Sequence, residues 1–186
     1  SHTVSFSQHS FKGSKGVIGV IGAGNFTKMT MLPAIKDSGA GFKYIASQGG
    51  LSSTTLAKKF GFKHSTTDYL EILKDDEVDT VLITTRHDLH AKMVIECLKA
   101  GKNVFVEKPL ALNNEELQQI IDVYEQSGKT LTVGFNRRFS PHMEKIKSLV
   151  GDSQMNVIAT MNAGFIPANI WVHDMKTSGG RIIGEA

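Results

Sequence analysis

The sequence is poor in cysteine and proline and has no long apolar run. Cys97 is the single cysteine among 186 residues, and only four residues are proline. One cysteine excludes a disulfide within the chain and suits the reducing environment of the cytoplasm, where we expect this protein. No segment approaches the roughly 18 consecutive apolar residues of a membrane-spanning helix, so contact with a membrane is not expected either.

Strong charge of one sign is also missing. Lys and Arg total 21 against 18 Asp and Glu, which gives a formal net charge of +3. The basic residues are scattered and do not form the cluster that binds a phosphate backbone, so nucleic acid is not an expected partner. Hydrophobic residues make up 40% of the sequence, which suffices for the core of one domain and the beginning of a second.

The first residues have neither an initiating methionine nor the charged and then apolar layout of a signal peptide. Their composition is polar. We interpret residues 1–14 as a linker or the remnant of a tag.

From Gly16 onward, short β-branched runs alternate with longer segments of helical period, which is the pattern of repeated βαβ units. It predicts an α/β fold with a doubly wound parallel sheet, a Rossmann domain, over residues 15–136. The predicted strands are Val17–Ile21, Phe42–Ala46, Thr80–Thr84, Asn103–Val106 and Thr130–Val133.

Two features of the predicted helices are tied to single residues. Asn113, followed by Glu116, has the spacing of an N-terminal cap, and Ser127-Gly128 ends the helix that follows. Pro33 lies inside the helix expected after the first strand, where its missing N–H predicts a kink or a later helix start.

A second domain is predicted to begin after residue 136. The segment Phe135–Pro141 breaks the alternation of strands and helices, and a predicted helix to Val150 and a predicted strand near Met155–Met161 follow it. Residues 137–186 are too few to close a core of their own, so we interpret them as the beginning of a second, truncated domain.

The first strand runs directly into a glycine-rich turn and then into a helix, which is the dinucleotide-binding fingerprint of a Rossmann unit. Gly22 permits the tight turn, and Gly24 lets the backbone approach a pyrophosphate. The amides of Asn25, Phe26 and Thr27 bring the positive end of the helix to that anion. Thr27 replaces the third glycine of the fingerprint, and we expect its side chain to loosen helix-to-strand packing. The turn predicts NAD or NADP as cofactor.

The ribose end of the predicted site is less determined. Ser47 occupies the position at which an acidic residue would select NAD by binding the ribose 2′-hydroxyl. Neither a carboxylate nor an arginine stands there, so the choice between NAD and NADP stays open. Ser47 is either a ribose contact or a cap of the loop.

A lysine follows the fourth predicted strand, in the sequence Glu107-Lys108-Pro109. The carboxyl edge of an open α/β sheet is where ligands bind, so this position favours a functional role. A loop lysine taken alone is most often a solvated charge.

Four segments in this order, GVIGVIGAGNFTKMTMLPAI, the strand end at Ile83-Thr84-Thr85 with its two histidines, AGKNVFVEKPLAL and VGFNRRFSP, resemble the glucose-fructose oxidoreductase and inositol dehydrogenase family. The resemblance extends from about Gly16 to Ala186. It implies a nicotinamide-dependent oxidoreductase that transfers hydride to or from a hydroxyl or carbonyl of a sugar, cyclitol or nucleotide sugar. It also implies that the Rossmann domain is followed by an α/β substrate domain, of which residues 137–186 are the beginning.

The resemblance also implies roles for single residues. Lys108 matches the lysine that holds the reacting oxygen and assists its proton transfer, and Glu107 and Pro109 position it beside the cofactor. Further matches border the cofactor, at Thr84, Thr85, His87 and His90. Arg86-His87 departs from the Pro-Asn that is more frequent in the family. Candidate substrate contacts are Arg138, Trp171 and His173.

In relatives, a histidine and an aspartate that complete the proton relay come shortly after the position matching Ala186. The resemblance therefore implies a cofactor-binding fragment that is inactive by itself. It further implies a homo-oligomeric intact protein, with fusion to or association with another oxidoreductase half. No metal is expected, since His87 and His90 alone have ligand-like spacing. A dinucleotide-binding sensor without turnover, and a structural α/β domain with an empty glycine turn, are the alternatives.

Overall fold

The computed structural model describes residues 2–6, 16–152, 154–162 and 164–180. Within these residues, no helix has both the length and the apolar character needed to cross a membrane.

A seven-stranded sheet forms the centre of the molecule. Its strands are β1 (Thr3–Ser5), β2 (Val17–Ile21), β3 (Gly41–Ala46), β4 (His64–Thr66), β5 (Thr80–Ile83), β6 (Asn103–Glu107) and β7 (Leu131–Gly134). They follow the order β1-β4-β3-β2-β5-β6-β7 across the sheet. Six strands are parallel, and β1 alone runs antiparallel to its neighbour β4. The parallel part has the strand order of a Rossmann fold: from β2 the chain adds β3 and β4 on one side, and then β5, β6 and β7 on the other.

The helices are α1 (Leu32–Ile35), α2 (Leu51–Phe60), α3 (Leu70–Lys74), α4 (His90–Lys99), α5 (Asn114–Ser127), α6 (Pro141–Val150) and α7 (Met175–Ser178). Helices α1 to α5 lie between successive parallel strands, and α6 and α7 follow the last strand. Short 3₁₀ turns precede α4, α6 and α7, at His87–Leu89, Asn136–Phe139 and Trp171–His173.

Two apolar clusters fill the space on the two faces of the sheet. One packs Val94 and Leu98 of α4 and Ile120 of α5 against the sheet, and the other contains Leu32 of α1 and Leu56 of α2. Burial of these helix stripes on opposite faces provides most of the stabilising free energy of such a layered fold. The predicted doubly wound α/β sheet is confirmed.

Two strands at one edge of the sheet differ from the sequence interpretation. Thr3–Ser5, assigned to a linker, forms β1, and the segment His64–Thr66, for which no strand was predicted, forms β4. Side chains support the pairing, because the Thr3 hydroxyl donates to the Thr66 hydroxyl at 2.9 Å and the Ser5 hydroxyl lies 2.8 Å from Nδ1 of His64.

The predicted strand near Met155–Met161 is wrong. Residues 155–161 have no regular secondary structure and are exposed. A strand needs a neighbour for its backbone hydrogen bonds, and the alternating apolar residues there have none in the described structure. The predicted helix before it is present as α6, and the division of the chain into domains stays a prediction.

Pro33 does not interrupt its helix. The chain becomes helical at Asn25 and passes through a π-helical stretch, Thr27–Met31, into α1. Pro33 lies in the first turn of α1. The π-helical stretch directly before it is consistent with the predicted local irregularity.

Candidate functional site

The glycine-rich turn joins β2 to the first helix at the carboxyl edge of the sheet. The Gly22 amide donates to the Ala46 carbonyl at 2.9 Å, and Gly22 has a positive φ of 115°. A Cβ atom on Gly22 would lie 2.6 Å from the Thr84 hydroxyl oxygen, whereas a Cβ on Gly24 would have no heavy atom within 4 Å. Gly22 therefore fits a closed turn, and Gly24 leaves open space beside the backbone.

Thr27 closes the turn. Its side chain is fully buried, and its hydroxyl donates to the Gly22 carbonyl at 3.1 Å and lies 2.7 Å from the Thr84 hydroxyl. The expectation that this residue loosens the packing is wrong, because the hydroxyl ties the helix to the ends of β2 and β5. Asn25 is exposed and Phe26 half-buried at the start of the helix.

The open side of this turn fits a dinucleotide. The first helix of the chain contains the π-helical stretch Thr27–Met31. This stretch has no acidic residue, and Lys28 in it is basic. A pyrophosphate beside Gly24 would meet amide N–H groups and no repelling carboxylate there.

Ser47 follows β3 and belongs to an internal hydroxyl network. Its hydroxyl donates to Ser53 at 3.0 Å, and the hydroxyl of buried Ser65 donates to the same oxygen at 3.0 Å. The Ser47 carbonyl accepts from the Gly50 amide, which closes the turn before α2. Ser47 is thus a loop cap in the structure, and its contact with ribose stays a prediction.

Glu107-Lys108-Pro109 lies at the same edge of the sheet as the turn. In the parallel register Ile21 of β2 pairs with Ile83 of β5, and Ile83 pairs with Val106 of β6. The three strand ends are therefore neighbours, with the glycine turn, Thr84 and Lys108 following them. The Lys108–Pro109 peptide bond is cis.

Glu107 lies beside the end of β7 and the 3₁₀ turn that follows it. The Asn136 side-chain amide donates to Oε1 of Glu107 at 2.7 Å, and a Cβ on Gly134 would lie 2.6 Å from the same oxygen. Burial raises the pKa of Glu107, against the opposing effects of the Asn136 hydrogen bond and the Lys108 charge. Gly134 and Asn136 were not predicted as site residues, although both lie in or beside the VGFNRRFSP segment.

The two histidines of the β5–α4 connection have different surroundings. His90 is fully buried, and its ring nitrogens lie close to the carbonyls of Thr85 and Pro109. His87 is half-buried, with Nδ1 2.9 Å from the Ser178 carbonyl. The Thr85 hydroxyl donates to the Arg86 carbonyl at 3.3 Å.

Trp171, in the last described segment of the chain, contacts the connection between β5 and α4. Its ring meets the His87 ring edge-on at a centroid distance of 4.9 Å, and the Arg86 guanidinium lies 5.9 Å from the Trp171 ring centre. Ser178 is buried at the end of α7, and no sequence signal had pointed to it.

The other candidate substrate residues lie against neighbours in their own segments. The Arg138 guanidinium lies 5.3 Å from the Phe139 ring centre, and Nε2 of His173 lies 3.3 Å from the Ile166 carbonyl. Asp174 caps α7 by accepting from the Lys176 amide and the Thr177 hydroxyl. The roles of Arg138, Trp171 and His173 toward a substrate stay predictions.

No group of three or more His, Cys, Asp or Glu side chains in the part of the chain that the structure describes is arranged to hold a metal ion.

The strand order, the glycine turn and the open space at Gly24 together define a dinucleotide-binding Rossmann domain. A family model described as an oxidoreductase family with an NAD-binding Rossmann fold, Gfo/Idh/MocA, matches residues 17–135. The chain belongs to this family, as its motifs predicted, and a nicotinamide dinucleotide as cofactor is confirmed at the level of the family.

Three similar proteins illustrate the match. The uncharacterized oxidoreductase YrbE of Bacillus subtilis is 30% identical over 88% of this chain and 48% of its own length. Inositol 2-dehydrogenase of Rhizobium meliloti is 29% identical over 87% of this chain and 49% of its own length. The crystal structure of a 3-ketoreductase from Actinomadura kijaniata in complex with TDP-benzene and NADP has a TM-score of 0.67 at 26% identity, covering 73% of this chain and 43% of that one. The chain thus spans about half the length of the curated relatives it matches.

Proposed function

We propose that this chain is the cofactor-binding part of an NAD(P)-dependent oxidoreductase that transfers hydride between the nicotinamide and a hydroxyl or carbonyl carbon of a sugar, cyclitol or nucleotide sugar. One observation carries the proposal: the glycine turn follows β2 and Lys108 follows β6, the two strands that flank β5, so both lie at the same edge of the sheet. A cofactor bound along that edge meets a lysine at its reactive end.

The residues of the turn would hold the pyrophosphate through backbone amides, with Gly24 leaving room for the close approach. We propose that Ser47 borders the ribose, and that the Thr84–His87 connection and Glu107-Lys108-Pro109 border the nicotinamide. When bound, the nicotinamide supplies the hydride acceptor or donor.

Lys108 is proposed as the catalytic residue. Its ammonium group would donate a hydrogen bond to the reacting oxygen, and its neutral amine would accept the proton that leaves a hydroxyl during oxidation. The Glu107 carboxyl, held by Asn136 at 2.7 Å, supports this role because it fixes the backbone from which Lys108 projects.

The substrate class is supported by a cyclitol-oxidising relative, inositol 2-dehydrogenase. The curated relatives are about twice as long as this chain, and we propose that the complete proton relay and most substrate contacts need that additional length. The chain by itself is then proposed to bind cofactor with little turnover. A homo-oligomeric intact protein and a fused or associated oxidoreductase half belong to the same proposal.

Calorimetric titration of the chain with NADH, and separately with NADPH, tests the proposal. Saturable binding of at least one cofactor is expected, and a chain that binds neither would overturn the proposal.

The absorbance of reduced nicotinamide then reports turnover of inositols, aldoses and nucleotide sugars. Lys108→Met is expected to abolish any turnover while changing the cofactor Kd by less than about threefold. Lys145→Met, on exposed α6, is the matched control. Because this chain by itself is proposed to turn over little, binding without turnover favours a cofactor sensor only where the intact protein shows it too.

A further inference from the structure

His90 occupies the junction between two loops of the site. It is the first residue of α4, and its side chain is fully buried. Its Nδ1 atom lies 2.7 Å from the carbonyl oxygen of Pro109, and its Nε2 atom lies 3.2 Å from the carbonyl oxygen of Thr85. The ring therefore bridges the loop after β5 and the loop after β6.

A neutral His90 ring can donate a hydrogen bond to only one of the two carbonyls. A carbonyl oxygen only accepts hydrogen bonds, and a neutral imidazole has one N–H. The shorter distance, to Pro109, is the better hydrogen bond, so the proton belongs on Nδ1. The Nε2 lone pair then faces the Thr85 carbonyl without a proton between them.

The surroundings favour the neutral ring. Burial lowers the pKa of His90, and the nearby His87 ring acts in the same direction. The carbonyls of Pro109 and Thr85 and the Asp88 carboxylate oppose it, but the net direction is downward. One N–H is therefore available at neutral pH, and Pro109 receives it.

His90 is fully buried, whereas the family resemblance implied a direct contact with the cofactor, and that contact stays a prediction. The hydrogen bond of His90 acts on Pro109, the residue after Lys108. Pro109 is buried and has no N–H, so it cannot anchor its loop through a backbone amide. The loop after β5, which His90 contacts at Thr85, is joined to the glycine turn through Thr84, whose hydroxyl contacts Thr27.

We propose that His90 is a positioning residue for Lys108: as the neutral Nδ1–H tautomer it holds the Pro109 carbonyl, and through it the Glu107-Lys108-Pro109 loop, against the end of β5. This inference rests on the proposed function only for what Lys108 does. The hydrogen bond itself is independent of any cofactor.

Long-range ¹H–¹⁵N correlation spectra of the ¹⁵N-labelled chain without cofactor test the tautomer directly. The chain has seven histidines, and the His90 signals are those lost in His90→Asn. A neutral ring protonated on Nδ1 is expected at neutral pH. An Nε2–H tautomer, or an imidazolium at that pH, would overturn the inference.

A pair of substitutions tests the positioning. The Asn side-chain amide can replace Nδ1 as donor, whereas the longer Gln amide reaches the Nε2 position. His90→Asn is expected to keep the cofactor Kd within about twofold, and His90→Gln to weaken it about tenfold by leaving the Pro109 carbonyl without its donor. His142→Asn and His142→Gln, on exposed α6, are the matched controls and should leave the Kd unchanged.

Saturation-transfer NMR on bound cofactor separates local positioning from a general loss of structure. In His90→Gln the enhancement of the nicotinamide protons should fall relative to that of the adenine protons, and His90→Asn should restore the ratio. Equal behaviour of the two variants, or a parallel loss at both ends of the cofactor, would contradict positioning. If the wild-type chain binds neither cofactor, the proposed function fails, while the tautomer measurement still decides whether His90 forms this bond.

Discussion

The hydroxyl groups of Thr27 and Thr84 lie 2.7 Å apart, which joins the first helix of the chain to the end of β5. Both hydroxyls also lie within hydrogen-bonding distance of the Gly22 carbonyl. The threonine at the third glycine position is therefore fully buried and also forms hydrogen bonds to the ends of β2 and β5.

Replacing Thr84 by valine should destabilise the domain by about 1 kcal/mol, because the Thr27 hydroxyl loses a partner in a buried position. Thr84→Ser keeps the hydroxyl and should lose less. Urea unfolding followed by circular dichroism measures both. Destabilisation by Thr84→Ser that equals or exceeds that of Thr84→Val would contradict the prediction, because the methyl group would then contribute at least as much as the hydroxyl.

The two glycines of the turn should respond differently to alanine. Gly22→Ala adds a methyl group 2.6 Å from the Thr84 hydroxyl oxygen at a positive φ, so a loss of about 1–3 kcal/mol in the free energy of unfolding is expected. Gly24→Ala meets no atom within 4 Å and should change stability by less than about 0.5 kcal/mol.

The cofactor affinity of the folded variants should show the opposite order, with Gly24→Ala weakening binding more than Gly22→Ala. The Gly24→Ala methyl group occupies the space needed by the pyrophosphate, so the Kd for NADH or NADPH should rise about tenfold or more. Unfolding curves and calorimetric titrations of the same preparations separate the two effects. Unchanged affinity in Gly24→Ala would place the pyrophosphate elsewhere.

Asp75 should make stability depend on acid pH. Burial opposes its charged form, but hydrogen bonds from Lys43, at 2.8 Å, and from the Glu77 amide outweigh it and lower the pKa of Asp75. A lowered folded-state pKa contributes stability above the unfolded-state value of about 3.9, and this is lost as the pH falls through the folded-state pKa.

Asp75→Asn should therefore flatten the loss of stability below about pH 5, and at neutral pH it should cost roughly 1–3 kcal/mol because Lys43 remains buried with Glu77 as its carboxylate partner. Urea unfolding across this pH range is the measurement. Asp37→Asn, at a side chain that is 87% exposed, should leave the pH profile unchanged. A profile for Asp75→Asn as steep as that of the wild type would contradict this assignment.

The thiol of Cys97 should be unreactive in the folded chain. It is fully buried on α4, and burial raises its pKa to about 12. Since the thiolate is the nucleophile, labelling with Ellman's reagent at pH 8 should be about a thousandfold slower than in denaturant. Ser148→Cys, on exposed α6, supplies a reactive control thiol. Rapid labelling of native wild-type chain would mean that α4 detaches readily from the sheet.

The buried parallel strands were predictable because their sequences are apolar. Val81–Ile83 and Val104–Val106 are flanked by helices on both faces, so the hydrophobic run itself marks the strand. The cap at Asn113 was predictable for a local reason, since its side chain accepts from the Glu116 amide and the Glu116 carboxylate accepts from the Leu112 amide. Both signals lie within a few residues of one another.

The missed features depend on distant residues. His64–Thr66 is polar and becomes a strand because β3 and β1 supply its hydrogen-bonding partners. His90 was predicted in the site from its position, but its contact with Pro109 joins residues 19 apart and depends on how two strand ends are aligned. The contact of His87 with Ser178 spans 91 residues, and no local pattern encodes it.

The three-residue strand β1 also covers one edge of the sheet that could otherwise pair with a second molecule. By pairing with β4, it leaves the sheet with a short polar margin. A polypeptide beginning at Gly16 would instead offer the open amides and carbonyls of β4 to any extended segment of a neighbouring molecule, the arrangement from which lateral aggregates grow. We therefore expect a chain that lacks Thr3–Ser5 to associate more readily at high protein concentration.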